Sequence, residues 1–319
     1  SSSLKVRHEY TPLEGIRAAV GDAAEVIYER GYVGDVTGSY NGEETGQNLA
    51  DSRSEKRLIA DAVAAARKAD AVIFVGGLNK SGHQDCEGAD RKHLELPYAQ
   101  DKVIEALAEA NPNLAVVIVS GNAVAMPWIE KVPAVLEAWY SGSEAGNALA
   151  DVIFGKVNPS GKLPFTFPVR LEDNGAIAMG EYPGGSTVEY REGIFVGYRW
   201  HDTKRIEPLF AFGHGLSYTT FEIGNVRADR TALKAGGSIR ISADVTNTGK
   251  REGAEVVQLY IGDDESSLPR PVKELKGFEK VTLAPGQTQT VTFEITPEAL
   301  QFYDDAKGEW RAEKGTFTA

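Results

Sequence analysis

Two hydrophobic rhythms follow one another along the chain. Through about the first 220 residues, helical patterns with one apolar face alternate with short runs that are apolar throughout. Behind the capping candidate Thr11, Leu13, Ile16 and Val20 share a helical face, and AEVIYE is then expected as a strand. Leu58, Ile59, Ala62, Val63 and Ala66 repeat the helical spacing, and AVIFVGG follows as a buried strand. A helix from Pro97, with Val103, Ile104 and Leu107 inward, leads to the strand LAVVIVS. A short helix near Pro127, the strand AVLEAW and the helix SEAGNALADVIFG complete the series. Continuous apolar strands between amphipathic helices imply a mostly parallel sheet covered by helices, an α/β fold class.

From about Phe221 the rhythm changes to period two. Ile239, Ile241, Ala243 and Val245 alternate with polar residues, and VVQLYIG and QTVTFEIT repeat the alternation between turn signals such as NTGKREG and LAPGQ. Short alternating strands in just under a hundred residues predict an all-β sandwich of the fibronectin type III or immunoglobulin kind. The expected division is therefore residues 1–220 and 221–319. GTFTA reads as the beginning of a strand, so the second module is expected to be incomplete at its C-terminal side.

Composition narrows the partners. With 319 residues, 42% hydrophobic and 25% charged, the chain has the makings of about two globular domains. Forty-six acidic against thirty-four basic residues leave a net charge of -12, which disfavours nucleic acid and anionic membrane surfaces. No apolar run approaches the roughly 20 residues of a membrane span, and SSSLKVRHEY lacks the apolar segment of a leader peptide. Cys86, the only cysteine, makes no internal disulfide, so the compartment stays open, with periplasm or exterior favoured over cytoplasm.

The densest chemistry lies in GHQDCEGADRKHLELP, residues 82–97, which leaves the apolar strand AVIFVGG and delivers the chain to a helix. Loops at the carboxyl ends of such strands are where ligands tend to bind. Asp85, Glu87 and Asp90 fall within six residues, and a carboxyl among carboxylates favours its protonated form, as a general acid requires. Spacing alone still favours a solvated acidic loop.

Other readings of the loop lack partners. His83, Asp85, Cys86, Glu87 and His93 show no paired short spacing of a zinc site and no EF-hand rhythm, so no metal is expected. Cys86 has no nucleophile-elbow signature around it. VGGLNKSG carries Lys80 and Ser81 but lacks the glycine a P-loop needs before its lysine. Glu144 suits the positive end of the helix that follows Ser143. Trp128, Trp139, Tyr140, Tyr198 and Trp200 fit either a sugar subsite or interior packing.

Longer phrases carry more. EGADRKHLELPYAQDKVIEAL, GNAVAMPWIEKVPAVLEAWYSGSEAGNALADVIFGKVNPSGKLPFTFP, YREGIFVGYRWHD, PLFAFGHGLSYTTFE and VTNTGKREGAEVVQLYI, followed by LPRPVKELKGFEKVTLAPGQTQTVTFEI, resemble the carboxyl-side half of family 3 glycoside hydrolases, the β-glucosidase and β-xylosidase group. The resemblance covers nearly the whole chain in the expected order. It implies an α/β sandwich domain and a fibronectin-III-like domain, working with a (β/α)8 barrel that this sequence does not contain. In such retaining enzymes a barrel aspartate attacks the anomeric carbon, while a glutamate of the sandwich domain protonates the leaving oxygen and later activates water. Glu87, in EGADR, matches that acid/base position; many relatives carry a further glutamate two positions earlier, where this chain has Asp85, which stands as the alternative.

The resemblance thus implies part of an exo-acting β-glycosidase that releases terminal β-linked glucose, or xylose, from oligosaccharides or glycosides. No cofactor is implied, the substrate-binding residues stay unassigned, the segment alone is expected to be inactive, and homodimerisation is left open. The competing expectation is a non-catalytic carbohydrate-binding or scaffolding protein built from the same domains.

Overall fold

The computed structural model describes residues 6–34 and 49–319, together with the backbone of 39–40 and 43–44. The first five residues, on which the leader reading partly rests, lie outside this range. The chain forms two compact units, Ser1–Lys156 and Val157–Ala319.

The first unit contains α1 (Pro12–Val20), β1 (Ser39–Tyr40) paired with β2 (Glu43–Glu44), α2 (Glu55–Ala66), β3 (Val72–Gly77), α3 (Gln100–Ala110), β4 (Leu114–Val119), β5 (Ala134–Glu137) and α4 (Ala145–Ile153). Helix α1 starts where Thr11 predicts: its hydroxyl accepts from the Glu14 N–H, and the Glu14 carboxylate accepts from the Thr11 N–H, a reciprocal cap. Gly15 of α1 and Gly146 of α4 face each other so closely that a Cβ on either would overlap the other segment's backbone. Helix α2 buries Leu58, Ala62 and Ala66, and α3 buries Val103, Ile104 and Leu107, as their spacing predicts. Asn111, buried beyond α3, donates to the carbonyls of Ala66 and Ala69 and ties down the end of α2.

Strands β3, β4 and β5 form a parallel sheet in that order, with Val75 opposite Val117 and Val117 opposite Leu136. Val116 and Ile118 of the central strand are fully buried. AEVIYE departs from expectation. It has no strand partner among the described residues, and Ile27 and Tyr28 are exposed, so its apolar run covers no sheet here.

The second unit opens with irregular segments and two short helices, α5 (Gly175–Ala178) and α6 (Tyr198–Lys204). These segments pack on the strands that follow: Lys162 pairs with Glu255 at 2.6 Å, and the Tyr198 ring stacks on Phe212 and meets Tyr260 edge-on. Strands β6 (Phe221–Ala228), β7 (Ile239–Asn247) and β10 (Thr288–Ile295) form one antiparallel sheet in the order β10-β7-β6. Strands β8 (Gly253–Asp263), β9 (Glu274–Leu283) and β13 (Phe317–Thr318) form another, ordered β13-β8-β9, and β11 (Phe302–Asp304) pairs with β12 (Glu309–Arg311). Ala243, Val245 and Val291 from one sheet meet Val257, Val281 and Leu283 from the other in a common core, which the period-two pattern predicts. Buried Asn247 fixes the turn after β7: it accepts from Thr219 and the Gly249 N–H and donates to the carbonyls of Arg251 and Leu283.

The architecture is therefore a parallel sheet with helices followed by an antiparallel sandwich of the fibronectin type III kind.

Candidate active site

The carboxyl end of β3 is built so that a long loop can leave it. Gly77 has φ +135°, and a Cβ there would run into the Val119 carbonyl of β4. Gln100, 1% exposed at the start of α3, accepts from the Gly77 N–H at 2.7 Å and donates to the Gly77 carbonyl at 2.8 Å. The strand end is thereby bolted to the helix on which the loop lands. Tyr98 and Ala99 both hold left-handed backbone, so α3 begins at Gln100 and not at Pro97.

Within the loop the backbone is cross-braced. The Asn79 N–H donates to Gln84 Oε1 at 3.0 Å, the Asp85 N–H to the Asn79 carbonyl at 2.9 Å, and buried Gln84 donates to the Tyr98 hydroxyl at 2.6 Å. His83 closes the far side, its N–H donating to the Ala89 carbonyl and its Nδ1 lying 3.0 Å from the Asp90 carbonyl. These rungs leave Glu87 and Gly88, with φ +84° at the glycine, as an exposed turn at the tip.

Two anchors hold the loop to the neighbouring strand ends. Asp85 Oδ2 accepts from the Gly121 N–H at 2.6 Å, just after β4, and from the Tyr140 hydroxyl at 2.8 Å, just after β5. Arg91 donates to the carbonyls of Ala123 at 2.5 Å and Leu94 at 2.8 Å. Burial works against the Arg91 charge and lowers its pKa, while the nearby Asp85 carboxylate supports it.

Beneath this cluster stands Glu137, the last residue of β5. Its Oε1 accepts from the Trp139 N–H at 3.2 Å and lies 3.3 Å from the Ser120 hydroxyl, while its Oε2 is enclosed with no hydrogen-bond partner. Burial pushes this carboxyl up to about 7, the Trp139 and Ser120 hydrogen bonds oppose the shift, and the charge of Asp85 adds to it.

The acidic loop thus gathers Asp85 and Glu87 as the sequence suggests, but gives them different surroundings: Asp85 is anchored and Glu87 is presented at the tip. Cys86 turns its thiol to the Ala89 carbonyl at 3.3 Å, and His93 is exposed. Among the described residues no group of three or more His, Cys, Asp or Glu is placed to hold a metal ion. Glu144 stands at the N-terminal boundary of α4 without a side-chain capping bond, its carboxylate meeting His8 and accepting from the Asn147 amide. Trp128 is fully buried, donating to Asp101 at 2.7 Å, and is packing; Tyr140 is the aromatic that belongs to the loop's surroundings. Sequence pattern does not single out Gly121 or Glu137, although a glutamate inside the apolar run AVLEAW is an irregularity.

Residues 1–218 match the Glycosyl hydrolase family 3 C-terminal domain, and residues 255–319 match the Fibronectin type III-like domain. The chain belongs to glycoside hydrolase family 3. Within the family it is 52% identical, over its whole length, to a beta-glucosidase of Bacteroides ovatus, and covers 42% of that protein. It is 45% identical over 95% of its length to thermostable beta-glucosidase B of Acetivibrio thermocellus, covering 38% of it. Among solved structures, the family 3 beta-glucosidase of Bifidobacterium adolescentis superposes with a TM-score of 0.84 at 34% identity, over 98% of this chain and 43% of that one. The chain therefore spans about two-fifths of the length of these family 3 relatives.

Proposed function

We propose that this segment is the acid/base-bearing part of a retaining, exo-acting β-glucosidase, which removes terminal β-linked glucose, or xylose, from oligosaccharides or glycosides. Glu87 protonates the departing oxygen and then takes a proton from the attacking water. The nucleophilic aspartate belongs to a (β/α)8 barrel elsewhere in the parent protein, about 5 to 5.5 Å from the Glu87 carboxyl when the site is assembled. Resemblance to relatives named beta-glucosidases, of which this chain spans about two-fifths, supports both the activity and the need for a further domain.

The observation that carries the choice of residue is the contrast within the loop. Asp85 is the half-buried anchor of the loop, and Glu87 is exposed at a glycine turn that a sugar's leaving oxygen can reach. Asp85 remains the alternative acid, and a non-catalytic carbohydrate-binding role the alternative function.

Glu87→Ala in the barrel-containing parent protein tests the reading. Hydrolysis of glucosides with poor leaving groups should fall by about 10²- to 10⁴-fold, the usual share of general acid catalysis. Activated aryl glucosides should suffer less, and azide should restore part of their turnover by replacing water in the second step. Undiminished hydrolysis of the poor leaving groups removes Glu87 from the role, and a wild-type parent inert on every aryl glycoside favours the binding reading.

A further inference from the structure

Glu137 ends β5, and no step above uses it. Its Oε1 accepts from the segment leaving β5, at the Trp139 N–H, and lies against the segment leaving β4, at the Ser120 hydroxyl. The next residue after Ser120 is Gly121, and the next after Trp139 is Tyr140, the two groups that donate to Asp85 Oδ2. Trp139 holds left-handed backbone, φ 53°, which a bulky side chain adopts only where its surroundings enforce it. A Cβ on Gly121 would lie 3.1 Å from the Tyr140 ring and 3.4 Å from Asp85 Oδ2, so these three residues are already in close fit.

We infer that Glu137 is a positioning residue: its carboxyl clips the ends of β4 and β5 together, setting the Gly121 N–H and the Tyr140 hydroxyl at the spacing that grips Asp85 and thereby steadies the loop that presents Glu87. The catalytic half of this inference rests on the reading of Glu87 as acid/base; the structural half stands without it. Asp85 and Arg91 are the charged groups facing the cluster from the loop after β3, and the Tyr140 phenol faces it from the segment after β5. A protonated Glu137 keeps Oε1 as an acceptor, so the clip survives its titration and a neutral amide should replace it.

The test compares Glu137→Ala with Glu137→Gln. In the 319-residue chain, hydrogen exchange of peptides spanning 79–91 and 120–122 should speed up by about tenfold in Glu137→Ala, the loss of one net hydrogen bond, and stay near wild type in Glu137→Gln. In the parent enzyme, Glu137→Ala should lower kcat on poor leaving groups by about 100-fold, the scale of a 1 Å misplacement, with KM little changed. Glu137→Gln should recover most of that loss. Should the alanine variant not fold, Glu137→Leu, which keeps the bulk without the acceptor, takes its place under the same criteria. Wild-type exchange in the alanine or leucine variant overturns the inference. So does a glutamine variant as damaged as alanine; if azide then rescues it, Glu137 is itself the acid. If instead the exchange results hold while Glu87→Ala leaves turnover unchanged, the clip stands and only the assignment of Glu87 fails.

Discussion

Replacing Glu137 with glutamine should make the first unit more stable at high pH and leave it nearly unchanged in acid. In the folded chain, burial raises this carboxyl from an ordinary 4.5 to about 7. A folded state that holds a proton more tightly than the unfolded chain is favoured below the unfolded value, near pH 4.5, and that advantage is lost as pH rises through about 7. At 1.36 kcal/mol for each tenfold change in proton affinity, the full swing is about 3 kcal/mol. Glutamine copies the protonated carboxyl in shape and in Oε1 acceptance, so the variant minus wild-type difference should lie near zero at pH 4 and climb toward about 3 kcal/mol by pH 8. Taking the difference cancels other shifted carboxyls, such as Asp101, raised by burial, and Asp51, held near 2 chiefly by its hydrogen bonds from Arg53. Because the chain has two compact units, the transition should be read locally, from urea titrations followed by pulsed hydrogen exchange of β4 and β5 peptides. A difference that does not change between pH 4 and 8 refutes the reasoning, because it would mean that Glu137 is as readily ionised in the fold as in the unfolded chain.

Two other substitutions test the packing on which this picture depends. Gly121→Ala places a methyl 3.1 Å from the half-exposed Tyr140 ring, which can give way, so global stability should change by less than about 1 kcal/mol while the Tyr140 to Asp85 hydrogen bond loosens. Exchange of the 79–91 peptide should then quicken severalfold with the melting temperature held, and a large drop in melting temperature would contradict it. Asn247→Ala removes a fully buried amide with four hydrogen-bond partners, the Leu283 carbonyl among them, costing about 3 kcal/mol. Calorimetry should show the second unit melting about 10 °C lower, and a shift below about 2 °C would count against that role for the turn.

Much of this was legible in the residues because local chemistry decides it. Thr11 and Glu14 cap α1 through bonds three residues apart, and the inward faces of α2 and α3 follow from helical spacing. The alternation through Ala243 and Val245 announces the sandwich core. AEVIYE misleads because apolar content marks a segment able to pair, and among the described residues no strand pairs with it. The anchoring of Asp85 was beyond sequence reading for a different reason: its donors lie 36 and 55 positions away and meet only because β3, β4 and β5 are neighbours in one sheet. Glu87 itself came from the resemblance of EGADR to the family phrase, since acidic spacing alone describes many solvated loops.

Three carboxylates near the ends of one sheet are sorted by what surrounds each, and that sorting bears on which of them can move a proton. For Asp85 to protonate a leaving oxygen through Oδ2, it would have to give up the Gly121 and Tyr140 donors, and hydrogen bonds to a charged group are worth about 1.5 to 3 kcal/mol each. Such a cost would be added to the barrier of every turnover. Glu137 has the opposite problem. Its carboxyl sits near 7, a value suited to acid catalysis, yet Oε2 is enclosed and Oε1 faces Trp139 and Ser120, so a substrate would have to part the ends of β4 and β5 to reach it. Glu87 stands at an exposed glycine turn that a glycoside can reach without parting the strand ends, while the rungs from His83 to Ala89 and Asp90 limit how far the tip can wander.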